Sequence, residues 1–280
     1  MYRYIINLII IYVMIANIAF AKIITIDNLV PFEQVIKKIN QDTLVIFDVD
    51  HVLIMPKDDY TRNRHPYRQI LWREIVNRNS KQKIKMLQSI VTVSSKWCLM
   101  DPKILNILAD LENNLIPSIA LTSYGTGKLG IIESLEDLRI HELKSLGIDF
   151  VNLSPIKNKV LIHELKNEHG IPMFKDGIIF TAELDKAIIL DYILRNKNYH
   201  PKKIIFIDDQ LNNLKSIENF CTKSLIKFCG FHYIAISKRP VCIIDNEKEK
   251  MRFKILEKEH RWLSSTELKG LKSMDSKNFN

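Results

Sequence analysis

Glycine and proline are scarce in this chain, at 8 and 9 of 280 residues, while Ile, Lys and Asn are abundant. That bias fits AT-rich coding and identifies no function. There is no internal repeat and no low-complexity stretch. Although the formal net charge is +9, no block of five or six like charges forms the kind of arm that grips nucleic acid. No specific nucleic-acid partner is therefore expected, and the basic surface attracts phosphate-bearing substrates only in a general way. Four cysteines occur, Cys98, Cys221, Cys229 and Cys242, none in a CxxC pair, which argues against a zinc site. They fit an oxidising compartment without demanding one; Cys221 and Cys229 could bridge, or remain buried thiols. Beyond residue 21 no apolar stretch reaches the length of a membrane span, and alternating barrel-type strands are absent. What remains is ordinary for a globular core: 46% hydrophobic and 26% charged residues. The length allows one domain with an insertion or two small domains.

The first 21 residues stand apart. Arg3 supplies a short positive region, Ile5 to Phe20 are nearly all apolar, and Ala19-Phe20-Ala21 fits the small-x-small rule for signal cleavage. Cleavage after Ala21 and export to the periplasm or beyond are expected; an uncleaved anchor is the alternative. No oligomeric state can be read.

The chain is organised around Leu44-Val45-Ile46-Phe47-Asp48-Val49-Asp50-His51-Val52-Leu53. Four apolar residues ending in two carboxylates read as a strand buried on both faces of a parallel sheet. Desolvating a carboxylate is costly unless it is paired or metal-bound, and ligands of open α/β sheets collect at the carboxyl ends of the strands. Asp48 and Asp50 therefore mark a candidate active site. A short helix is expected over 28–41 before this strand. After it, a polar stretch and two helical patterns (66–79 and 80–95) exceed what a crossover needs. Residues 57–97 are read as a small helical cap insertion, packed by Trp72 and Trp97. A helix from Asp101-Pro102 to about Asn114 follows.

Pro117 to Gly125 gives a second buried strand ending in Thr122-Ser123, with a helix over about 129–146. Residues 147–182 hold strand-like pieces at 148–151 and 177–181. Lys186 stands near the start of the next helix, and Ile204-Ile205-Phe206-Ile207-Asp208-Asp209 is a third buried strand ending in paired acids. Further strands are expected at 225–228 and 233–236, then an amphipathic helix over 246–270. The core would span 28–56 and 98–245. Strands ending in DxD, Thr-Ser and DD, with helices between, predict an α/β fold with a doubly wound, Rossmann-like parallel sheet.

An aspartate can attack phosphorus and form an aspartyl-phosphate, a second acid can serve the leaving group and then water, and Mg²⁺ with a lysine can neutralise the phosphoryl charge. The ordered motifs resemble the haloacid dehalogenase (HAD) superfamily. Leu44–Leu53 is similar to its first motif, Ile119–Thr122 to its second, Lys186 to its third and Ile204–Asp209 to its fourth. The resemblance implies Asp48 as nucleophile and metal ligand, and Asp50 as general acid/base with its carbonyl also reaching the metal. Thr122 and Lys186 would hold the phosphoryl group, Asp208 would ligate Mg²⁺ and Asp209 would support it. Lys175 or Lys159 could replace Lys186. An acid two residues after the nucleophile is the phosphatase-type arrangement, so a small phosphorylated substrate is implied. In that family, 57–97 and 147–182 are positions where caps are inserted. The leader and Gly177-Ile178-Ile179-Phe180-Thr181 resemble a narrower HAD-like family of unknown function, DUF2608, found in intracellular bacteria.

Other readings fit less well. A phosphoacceptor receiver domain places its acid pair first and its phosphorylated aspartate later, the reverse of this order. Gly125-Thr126-Gly127-Lys128 lacks the leading glycine of a P-loop and the hydroxyl after its lysine. His51 could belong to a histidine-containing metal site, but no second histidine adjoins it, and it is read as a loop residue facing the cap; His163, His169 and His200 are read as surface residues. A secreted, non-catalytic binding or effector protein on the same scaffold stays open as the alternative.

Overall fold

The computed structural model describes residues 21–58, 66–239 and 245–270. The expected leader thus falls outside the described residues, except for Ala21, as does Cys242. The described part holds an eight-stranded sheet whose strands, from one edge to the other, are Ala21–Ile26, Lys227–Tyr233, Lys203–Asp208, Thr43–Phe47, Ser118–Thr122, Ile178–Phe180, Met173–Lys175 and Val160–Leu161. The central strands are the three apolar runs: β2 (Thr43–Phe47), β5 (Ser118–Thr122) and β9 (Lys203–Asp208). β2 lies between the other two and is parallel to both, with Phe47 in register with Ala120 on one side and Ile207 on the other.

Strand alternation divides the interior into two layers. Val45, Phe47, Ile205 and Ile207 face α1 (Val30–Ile36), α4 (Lys103–Asn113) and α5 (Leu135–Ser145). Leu44, Ile46, Ile204 and Phe206 face α6 (Lys186–Asn196) and α7 (Leu211–Lys223). Both faces of the sheet are covered, as a doubly wound fold requires.

The edges differ from expectation. β1 (Ala21–Ile26), a strand that the sequence does not announce, pairs in parallel with β10 (Lys227–Tyr233). Of the strands expected at 225–228 and 233–236, β10 takes in only 227–228 and Tyr233, and Ala235–Lys238 is a 3-10 helix instead; the middle of β10 is Gly230. A Cβ there would meet Phe228 at 3.0 Å and Ile23 at 3.1 Å, so the glycine admits close packing across the pair. Residues 148–150 have no regular structure and a turn begins at Val151, where a strand was expected. The segment 147–182 makes no second cap: β6 (Val160–Leu161), β7 (Met173–Lys175) and β8 (Ile178–Phe180) extend the main sheet, β8 parallel to β5 and the others antiparallel. The helix expected from 129 begins only at Leu135. Gly130 (φ +53°) and the Leu129–Ile132 bridge turn the chain first, and Ser134 then caps α5 by accepting from the Asp137 N–H.

The insertion rises on a two-stranded antiparallel ribbon of β3 (Ile54–Pro56) and β4 (Trp97–Leu99). Between them stand α2 (Pro66–Arg78) and α3 (Lys81–Ser94). These helices do not close a core alone. Leu71, Ile75, Leu87 and Ile90 pack with Phe253, Leu256 and Trp262 from the C-terminal segment. That segment is two helices, α8 (Asn246–Glu259) and α9 (Ser265–Gly270), rather than one. His260, in the left-handed conformation, ends the first. Arg78 reaches Glu257 at 2.6 Å across the same junction.

Leu256 is fully buried in this third cluster. Leu256→Ala is expected to lower the unfolding free energy by about 2–5 kcal/mol in urea denaturation. A change below about 0.5 kcal/mol would show that the C-terminal helices are not part of the folded unit.

Candidate active site

Because β9, β2 and β5 are neighbours, their polar ends meet at one edge of the sheet. Asp48 follows β2 directly, its N–H donating to the Ile207 carbonyl at 2.9 Å. Asp208 ends β9, and Thr122 ends β5. Lys186 is the first residue of α6, whose N-cap Asp185 accepts from the Ala187 and Ile188 N–H groups. This cap fixes the helix start and delivers the lysine side chain beneath the sheet edge.

The lysine Nζ donates to Asp48 Oδ1 and to Asp208 Oδ2, each at 2.7 Å, and its side chain is only 2% exposed. The Val49 N–H also donates to Asp48 Oδ1, at 2.8 Å. Among the described residues, nothing donates a hydrogen bond to Asp48 Oδ2. Burial pushes the Asp48 carboxyl well above the usual carboxylate range, against the pull of Lys186. It lifts Asp208 in the same direction. Burial alone would drive Lys186 down, but the two carboxylates outweigh it and hold the ammonium more firmly protonated than a free lysine.

Asp208 is further braced by the Gln210 N–H at 2.7 Å and by Asn213 Nδ2 at 3.1 Å from both carboxylate oxygens. For Asp209 burial is outweighed: hydrogen bonds from His51 (3.2 Å) and Gln210 (2.9 Å) hold it below the usual range. Asp48, Asp208 and Asp209 each offer an oxygen, all within 4.8 Å of one another. When all three carboxylates are ionised, the one ammonium among them leaves an excess of two negative charges, a state that the raised Asp48 and Asp208 reach more readily with a cation beside them. An all-oxygen donor set with that excess fits a hard divalent cation.

Asp50 lies apart from that trio. Its Oδ1 accepts from Arg139 Nη1 at 3.0 Å, so any part it takes in metal binding would fall to its backbone carbonyl. Thr122 is buried, its Oγ1 accepting from the Tyr124 N–H at 3.2 Å. His51 does not face the insertion as expected. A left-handed backbone (φ 65°) lets its N–H donate to the Ile54 carbonyl at 2.7 Å and turns the ring onto Asp209. Lys175 is paired with Asp137 at the surface and Lys159 is exposed, so Lys186 is the lysine at the strand ends. Cys98, Cys221 and Cys229 are free thiols.

Sequence reading missed Arg139, Asn213 and His232, whose Nε2 lies 3.1 Å from the Asp209 carbonyl. Trp97, expected to pack within the insertion, instead has its ring 4.2 Å from the Arg139 guanidinium carbon. A cleft of ≈ 1020 Å³ lies between α2 and α3 and the loop from Tyr124 to Leu129, with Arg68, Lys81, Lys85, Lys128 and Trp72 among its walls. Tyr124 is two residues past Thr122, so the cleft floor is within roughly 7 Å of chain from the sheet edge.

Residues 25–269 match the family described as "Protein of unknown function (DUF2608)". An uncharacterized protein of Rickettsia conorii is 31% identical over 239 residues, covering 78% of this chain and 79% of its own. One from Rickettsia felis is 29% identical over 247 residues, covering 81% and 82%. A Chlamydia pneumoniae protein, provisionally named as an outer membrane protein, is 28% identical over 114 residues, 41% of each chain. Among solved structures, a haloacid dehalogenase-like family hydrolase from Streptococcus pneumoniae is similar with a TM-score of 0.34 and 16% identity, covering 67% of this chain and 93% of its own. The family match runs from β1 into α9, and the chain belongs to the DUF2608 family.

Proposed function

We propose that this protein is an exported, HAD-type, Mg²⁺-dependent phosphomonoesterase that works through a phosphorylated Asp48. The observation that carries the reading is the state of Asp48: one oxygen is pinned by Lys186 and the Val49 N–H, while the other has no donor among the described residues. A carboxylate held in this way is a poised nucleophile rather than a structural cap. Mg²⁺ would be held by Asp48, Asp208 and Asp209, with the Asp50 carbonyl, and would supply neutralisation of the phosphoryl charge.

The chain's own groups would act in two displacements. Asp48 Oδ2 forms a bond to phosphorus as the bond to the leaving oxygen breaks, and Asp50 gives that oxygen its proton. A water then attacks phosphorus, losing a proton to Asp50, and the bond to Asp48 breaks to release inorganic phosphate. Lys186 and the Thr122 hydroxyl would steady the phosphoryl oxygens. The rest of the substrate would occupy the cleft under the insertion, whose Lys81 and Lys85 make no ion pair with a described residue. Support for export comes from Arg3, the apolar run to Phe20 and Ala19-Phe20-Ala21, and from the name of the chlamydial relative. Among the described residues no helix is long and apolar enough to cross a membrane.

The deciding experiment is phosphate release from p-nitrophenyl phosphate by residues 22–280, with Mg²⁺ and with EDTA. Turnover is expected only with the metal, and Asp48→Asn should reduce it by about 10³-fold or more. Wild type as inert as the variant would exclude a broad phosphatase and favour a binding role. Separately, Asn213→Ala removes the brace on Asp208 and should weaken Mg²⁺ binding by about 10–100-fold in calorimetric titration. Unchanged affinity would show that the Asn213 brace does not support the metal site.

A further inference from the structure

Arg139 is the most heavily built residue near the site that the mechanism above leaves unused. Its side chain is 2% exposed. The guanidinium lies between two aromatic rings, Trp97 on β4 and Tyr124 after β5, each with its centroid 4.2 Å away. Two cation–π contacts thus hold the guanidinium in place. Its Nη1 donates to Asp50 Oδ1 at 3.0 Å. Glu142 Oε2 lies 3.4 Å from Nε without forming a hydrogen bond.

Burying a guanidinium is costly, and a hydrophobic residue would fill the slot at lower cost if stability alone were served. Asp50 gains what the fold does not need. One oxygen is fixed, the side chain is kept out of the Asp48–Asp208–Asp209 group, and the other oxygen belongs to a side chain still 35% exposed. We propose that Arg139 is the positioning residue that aims the free oxygen of Asp50 at the leaving-group oxygen of the substrate. The proposal rests on the phosphatase reading. Trp97 belongs to the ribbon that carries the insertion and Tyr124 to the loop that floors the cleft. The slot therefore ties the aim of Asp50 to the walls around the substrate. Lysine has no planar fork to stack between the rings and is no substitute.

The test compares two substrates with Arg139→Gln and Arg139→Lys. p-Nitrophenolate leaves without needing a proton, whereas the alkoxide of a simple alkyl phosphate requires one. kcat/KM reports events up to departure of the leaving group. For the alkyl phosphate it should fall about 10²-fold or more in both variants, the usual size of a general-acid contribution. For p-nitrophenyl phosphate the fall should be at least tenfold smaller. Equal losses on the two substrates, or restoration by lysine, would overturn the proposal and leave Arg139 a structural residue. Wild type inert on both would overturn the phosphatase reading itself. If neither Arg139 variant folds, Tyr124→Leu removes one wall of the slot and should shift the substrate ratio in the same direction; an unchanged ratio would overturn the proposal.

Discussion

The site depends on one buried ammonium shared by two carboxylates. Lys186 could not be placed under the sheet edge without Asp48 and Asp208 on either side, because an unpaired charge in that position would cost several kcal/mol. Those acids could not stand so close without the lysine. The arrangement demands that β2 and β9 be adjacent and parallel, and that α6 begin at residue 186, with Asp185 as its cap. A shift of one residue in either strand would turn a carboxylate to the wrong face. The two apolar layers, which bury every residue of β2, hold the register that the charges require. The lysine balances only part of the negative charge that the three carboxylates carry when ionised.

The acids and the lysine were legible because each is announced locally. Asp48, Thr122 and Asp208 end apolar runs long enough to read as buried strands, and the convergence of such ends follows from the fold class. Arg139 gives no such sign. It stands in a helix among Leu138 and Ile140, its carboxylate partner is 89 positions away, and its aromatic walls come from two further elements. His51 is hidden for a different reason: its orientation is set by a left-handed backbone that few non-glycine residues adopt. At the sheet edges, β1 follows an apolar run with no turn residue to mark its start, and Gly230 breaks the pattern of β10 while serving its packing. Hairpin strands of two and three residues, as in β6 and β7, are too short to show a period.

The insertion shows how a cleft can be anchored on several sides. Gly130 brings the loop after β5 against α3, where a Cβ would sit 2.3 Å from Ser89 Oγ. The Ile131 N–H donates to that same hydroxyl at 3.1 Å. Thr126 is stitched to Ile171 by two hydrogen bonds of 2.8 Å. The loop that leaves the Thr122 strand is thus held by the insertion above and by the β6–β7 connection beside it.

Closing the insertion with the end of the chain sets an order on assembly. Arg78 and Glu257 lie 179 positions apart, which at a synthesis rate of about 5–20 residues per second is a wait on the order of 10–40 s. Throughout that interval α2 and α3 have emerged with Leu71, Ile75, Leu87 and Ile90 uncovered, and the last strand of the sheet is complete at Tyr233, 24 positions before Glu257. The cleft is therefore the last part of the molecule to be completed. A newly made chain spends its first seconds with the charged strand ends present but without the roof that would select what reaches them.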